Sequence, residues 1–131
     1  MDFNLNEDQR ILKTSVRDFA EAVIGPVAQE LDEREEFSIE IAKKMLDMGL
    51  FGITVSPDYG GQGMDYLSYC IVVEELARVD AGAAATVAAG NSLGIGPLYY
   101  FGSEKQKQTF LPDLCTKALW GLRPDRARRG L

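Results

Sequence analysis

Apolar residues return every three or four positions along almost every segment of this chain, and no segment alternates apolar and polar residues over the length of a strand. That periodicity constrains the fold most, because a repeat near 3.6 places side chains on one stripe of a helix, whereas a repeat of two is needed to face a sheet. In the opening segment the stripe is Ile11, Leu12, Val16, Phe19, Ala20, Val23 and Ile24. Asn6 with Gln9 three positions on forms a capping box, and Glu7 and Asp8 sit at the positive end of the helix. Pro26, after Gly25, should kink or interrupt this helix, since proline lacks the backbone donor and clashes with the preceding turn. The charged run LDEREEF that follows reads as a solvated face or a helix end.

Ser38 caps a second helix carrying Ile41, Ala42, Met45, Leu46 and Met48, and Gly49 suits its left-handed C-terminal position. In LFGITVSPDYGGQGMDYL, Phe51 to Val55 is compatible with extended chain, while Pro57 and the glycines require a loop of demanding backbone geometry. From Asp65 a third helix presents Tyr66, Cys70, Val73 and Ala77 on one face, with Tyr69 and Leu76 beside them, and ends near Asp80. Ala81 to Phe101 is rich in small residues; they admit close neighbours, and Gly90, Gly94, Gly96 and Pro97 weaken the segment as an isolated helix. Ser103 with Gln106 opens a last helix, EKQKQTFLPDL, with Pro112 marking its far end. The expected architecture is an all-α bundle of about five or six helices.

A chain of 131 residues with 46% hydrophobic and 26% charged residues is long and apolar enough for one packed domain. No stretch reaches the length of a membrane span, and MDFNLNEDQR lacks the features of a secretory signal, so the protein is expected in the cytoplasm. Cys70 and Cys115 are far apart and His is absent, which excludes a zinc site and leaves two buried free thiols as the reading. The net charge is −6, yet Leu122 onward holds four arginines against one aspartate, +3, so residues 1–121 carry −9. Such a body repels phosphate backbones, and nucleic acid is no partner unless the tail makes the contact.

No histidine, nucleophile elbow or phosphate loop supplies a catalytic constellation. Glu74 and Glu75 read as solvated or capping charges, and Tyr59-Gly60-Gly61 as a structural turn. The residues alone describe a helical domain without a self-contained active site.

Three segments, in order, carry a resemblance: FNLNEDQRILKTSVRDFAEAVIGPVAQELD, MLDMGLFGITVSPDYGGQGMDYL followed by EELARVD, and GNSLGIGPLYYFGSEKQKQTFLPDL. Together they resemble the N-terminal helical domain of the FAD-dependent acyl-CoA dehydrogenases. The resemblance implies an oxidoreductase that removes two hydrogens across the α,β bond of an acyl-CoA thioester and passes electrons to a transfer partner. In that family a glutamate takes the α-proton and the flavin takes the β-hydride; both belong to a middle β domain and a C-terminal helical domain that this sequence lacks. Neither catalytic nor flavin-binding residues therefore transfer. The matching acyl-cavity positions are Ala85, Ala89 and Leu93, where the two alanines imply a wider or longer cavity; ordinary close helix packing is the competing reading. Leu119, Trp120 and Gly121 would adjoin the first flavin contacts.

Relatives continue past this point into a TEPxAGSD motif, where this chain has LRPDRARRGL. Spelled CTT CGG CCT GAC CGA GCC CGA CGC GGG CTC, that tail reads one base later as FGLTEPDAG and a serine. With that serine spelled TCT and an Asp next, TGA falls directly after Leu131. The expectation is a family domain over 1–121 and a frameshifted tail over 122–131, with a functional basic tail on a freestanding interaction module as the alternative. The surface that other domains would cover should make the isolated chain self-associate or dissolve poorly.

Overall fold

The helical periodicity becomes five rods in the computed structural model, which describes residues 4–117. The first joins α1 (Glu7–Phe19) to α2 (Gly25–Glu33) through a π-turn at Ala20–Ile24; α3 (Ile39–Asp47) and α4 (Tyr66–Ala77) follow. The fourth joins α5 (Ala81–Ala89) to α6 (Gly96–Phe101) through a second π-turn at Gly90–Ile95, and α7 (Glu104–Thr116) is the fifth. A single 3-10 turn, Pro57–Tyr59, interrupts the long α3–α4 connection, and no strand occurs among the described residues. The all-α bundle is therefore as expected. α4 is central, packed on α1 at one side and α5 at the other.

Local signals place the helix ends correctly. Asn6 Oδ1 accepts from the Gln9 N–H at 2.8 Å while Gln9 Oε1 accepts from the Asn6 N–H at 3.1 Å. Ser103 and Gln106 repeat the arrangement before α7, and Ser38 accepts from the Ile41 N–H at the start of α3. Gly49 takes φ +75° beyond α3. LDEREEF is a helix end: Glu36 N–H reaches the Leu31 carbonyl, and Glu35 holds φ +54°, a left-handed position that glycine would occupy with less strain.

Elsewhere the structure departs from sequence expectation. Pro26 neither ends the rod nor opens a gap in it. The Gly25 N–H bonds to the Ala20 carbonyl five residues back, so the widened turn absorbs the register that proline would break. The Gly96 N–H does the same to Asn91, and both π-turns precede the same Ile-Gly-Pro triplet, Ile24-Gly25-Pro26 and Ile95-Gly96-Pro97. Pro112 lies inside α7, which runs on to Thr116; the helix is held there by loop 52–61, with Pro112 Cα packed where Gly60 leaves room. Phe51 to Val55 is not extended chain but a succession of turns, closed by Val55 N–H to the Gly52 carbonyl. α4 buries Ser68, Ile71, Val72, Glu75 and Leu76 instead of the predicted face, because it lies between two helices rather than beneath one. Consequently Cys70 is exposed, while Cys115 is buried as expected and its thiol is pushed up to about 11 by that burial.

Candidate functional site

Functional geometry here begins with Asn91, in the second π-turn. Its Oδ1 accepts from the N–H groups of Gly52 at 2.8 Å and Ile53 at 3.2 Å, and its Nδ2 donates to the carbonyls of Leu50 and Val87, each at 2.9 Å. Three of the four hydrogen bonds of this carboxamide latch the turns after α3 onto the α5–α6 rod, and the fourth, to Val87, holds the side chain against its own helix. Gly90 allows the close approach: a Cβ there would lie 2.4 Å from Phe51 Cε1. The sequence pointed to Gly-Asn-Ser-Leu-Gly only through the family resemblance. The Asn91 latch went unpredicted because the partners it ties across, Leu50, Gly52 and Ile53, are 38–41 residues away.

The latched turns form one wall of an apolar cleft of about 250 Å³, with Thr54 and Val55 on one side, Tyr66 and Tyr69 of α4 on another, and Ser92, Ile95, Gly96, Tyr100 and Phe101 opposite. Tyrosines fix its shape. Tyr69 donates to the Ala88 carbonyl at 3.1 Å, and the Tyr99 hydroxyl accepts from the Ser56 N–H at 3.3 Å. Tyr66 and Tyr100 join hydroxyl to hydroxyl, bridging α4 and α6; that hydrogen bond raises the Tyr66 pKa. Tyr59 donates to the Glu104 carboxylate at 2.7 Å, tying the 3-10 turn to α7.

Ala85, Ala89 and Leu93 are spaced four residues apart along the same rod and all three are exposed, Leu93 to 54%. They share a stripe but do not line the cleft, which takes the neighbouring Ser92 and Ile95 instead. Close packing against other helices falls to different small residues, Ala83, Ala84, Gly90 and Gly94. Phe101, at 89%, is the most exposed large apolar side chain among the described residues, and Tyr66, Leu67 and Tyr100 are also half exposed or more. Leu119, Trp120 and Gly121 lie outside the described residues.

Glu75 overturns its sequence reading. Glu74 is in solvent, but Glu75 is 0% exposed. Arg17 of α1 donates to both its oxygens, from Nε at 2.9 Å and Nη2 at 3.0 Å. Arg78 Nη1 lies 2.9 Å from Oε2 and Lys13 Nζ 3.6 Å from Oε1. The Arg17 hydrogen bonds hold the carboxyl down to about 2 against the opposing effect of burial. Its place between Val72 and Leu76 on the buried face, with Arg17 beside Val16 on α1, was the available signal; adjacent glutamates concealed it. The cluster clamps α1 to α4 and commits the Glu75 carboxylate to Arg17, Arg78 and Lys13.

A flavin needs cations or helix N-termini for its pyrophosphate and donors for its ring system. The cleft lining contains no lysine or arginine, and every buried side-chain polar atom among the described residues already has a partner. The described cleft residues offer no cation to a flavin pyrophosphate. Among the described residues, too, no group of three acidic, Cys or His side chains could hold a metal, and no helix is long and apolar enough to cross a membrane.

Known proteins share this arrangement. The short-chain-specific acyl-CoA dehydrogenase of Clostridium acetobutylicum is 44% identical over 114 residues, which are 87% of this chain and 30% of that protein. The solved butyryl-CoA dehydrogenase of Megasphaera elsdenii is 39% identical with TM-score 0.83, across 88% of this chain and 31% of its own. A structure described under the electron transferring flavoprotein of Acidaminococcus fermentans is 42% identical with TM-score 0.85, over 88% of this chain and 30% of that one. The chain spans under a third of the length of each of these three relatives. Residues 6–118 match the family model for the acyl-CoA dehydrogenase N-terminal domain, and the chain belongs to the acyl-CoA dehydrogenase family.

Proposed function

We propose that this chain is the helical N-terminal part of a cytoplasmic machine for FAD-dependent α,β-dehydrogenation of acyl-CoA thioesters, and that by itself it is inactive. The observation that carries the reading is the exposed Ala85–Ala89–Leu93 stripe beside the tyrosine cleft, an apolar surface left unpartnered on the helix that buries Ala83, Ala84 and Val87. In this reading the exposed stripe forms one wall of the acyl cavity. Eight residues of helix give a strip roughly 12 Å long, and each methylene laid against it gains about 0.8 kcal/mol by leaving water. Alanine at two of the three positions leaves room for a long or branched chain. The residues that move the proton and hold the cofactor belong to the two-thirds of the relatives that this chain does not match.

The partners of the reading are an acyl-CoA and an electron-transfer acceptor, with residues 1–121 as the domain and 122–131 as a frameshifted tail. The uncovered stripe and Phe101 make the isolated chain self-associate, seen as a light-scattering mass that rises with concentration. DNA beyond the Leu131 codon tests the reading. It should spell TEPDAGSD in the neighbouring frame and continue into a β domain and a glutamate-bearing helical domain. DNA with no such frame would favour a freestanding interaction module.

A further inference from the structure

A second groove lies on the far side of α5, where α2 ends and α3 begins. Its floor is apolar, built from Leu31, Ile41 and Met45, and encloses about 360 Å³. Its rim carries Asp32, Glu35 and Glu36, none of which makes an ion pair among the described residues. Two of the cations on these helices are committed elsewhere: Arg34 pairs with Glu30 at 2.6 Å and Lys44 with Glu40 at 2.8 Å. Three uncompensated carboxylates therefore surround an apolar trough, and Phe37 on its edge is 63% exposed.

The same chain carries the complementary chemistry. Beyond α7, which ends at Thr116, come Leu119, Trp120 and Leu122 and then four arginines between Arg123 and Arg129. This tail is +3 on a body of −9. Arg123 and Arg129 lie six and twelve residues after Lys117 and reach about 20 and about 40 Å when extended, beyond the radius of gyration of roughly 13 Å for a domain this size. A tethered segment meets its site at millimolar effective concentration, so weak pairs suffice to hold it.

We propose that the arginine segment Arg123–Arg129 docks on the acid-rimmed groove of its own chain, its guanidinium groups pairing with Asp32, Glu35 and Glu36. Docking depends on charge and reach and not on how the tail arose, so it stands apart from the dehydrogenase reading. Trypsin cleavage after Arg126, Arg128 and Arg129 of the full chain tests it, each rate being divided by that of the free peptide LRPDRARRGL. Three exposed pairs should slow cleavage about tenfold, and the slowing should vanish in the Glu35→Lys/Glu36→Lys variant and in about 0.5 M salt, where the screening length falls to a few ångströms. Glu7→Lys/Asp8→Lys, the same charge change elsewhere, should leave it intact. Equal rates for native and groove variant, equal loss in both variants, or protection that grows with protein concentration, as docking onto a second copy requires, would overturn the proposal.

Discussion

Glu75→Ala should lower the stability of this domain by about 3 kcal/mol, measured as a shift in urea midpoint near neutral pH. The carboxylate is fully buried and accepts three short charge-assisted hydrogen bonds from Arg17 and Arg78. Removing it also leaves a cavity between α1 and α4. The loss stays moderate because the stranded guanidinium groups are not themselves buried: the Arg17 and Arg78 side chains are 42% and 45% exposed and can recover water. Glu75→Gln keeps the shape and loses the charge, for a cost of about 2 kcal/mol. The carboxyl is held near 2, below its ordinary 4.5, so its contribution is complete above the ordinary value and disappears as pH falls toward 2. The gap between native protein and Glu75→Gln should accordingly narrow below about pH 4.5 and close near pH 2. A gap that is constant across this range would mean that charge is not what Glu75 contributes.

Gly61→Ala should cost still more, about 4 kcal/mol, or roughly 15 °C in thermal midpoint. A Cβ at Gly61 would stand 2.2 Å from the Val55 carbonyl oxygen and 2.5 Å from Val55 Cβ. Neither atom can move aside, because Val55 is 2% exposed and its backbone is bonded on both sides, to Gly52 and to Gly63. The same turns form the wall of the tyrosine cleft, so damage there reaches the candidate site. Gly82→Ala is the control: its Cβ would meet only the Asp80 carboxylate, at 3.4 Å or more, inside a helix where alanine is favoured. It should be neutral or stabilising, and a Gly61→Ala protein no less stable than Gly82→Ala would refute the steric account.

What could be read from the sequence is what depends on neighbours three or four residues away. Asn6 with Gln9, Ser103 with Gln106, Ser38 and Gly49 announced their helix ends because caps are closed by local bonds. Glu75 could not be read this way, since α4 is apolar on two sides and its buried face is chosen by α1 and α5 together. Cys70 was misplaced for the same reason. Asn91 gave no local signal, because three of its four bonds go to Leu50, Gly52 and Ile53, far along the chain. Of the prolines, Pro26 was expected to kink or interrupt its helix, and a π-turn does interrupt the α-helical register just before it, whereas Pro112, expected to mark the end of its helix, is held inside it by loop packing. Ala85, Ala89 and Leu93 came from resemblance alone, and their shared exposed stripe is the added physical content.

Grafting residues 1–117 of this chain in place of the matching part of the Megasphaera elsdenii butyryl-CoA dehydrogenase tests the central claim most directly. If these helices are an acyl-CoA dehydrogenase wall lacking its chemistry, the chimera should retain its flavin and be bleached by butyryl-CoA, and Ala89→Phe in the graft should impair the longest acyl-CoA first. A flavin-loaded chimera that no acyl-CoA bleaches, or an ungrafted chain that oxidises a thioester unaided, would contradict it.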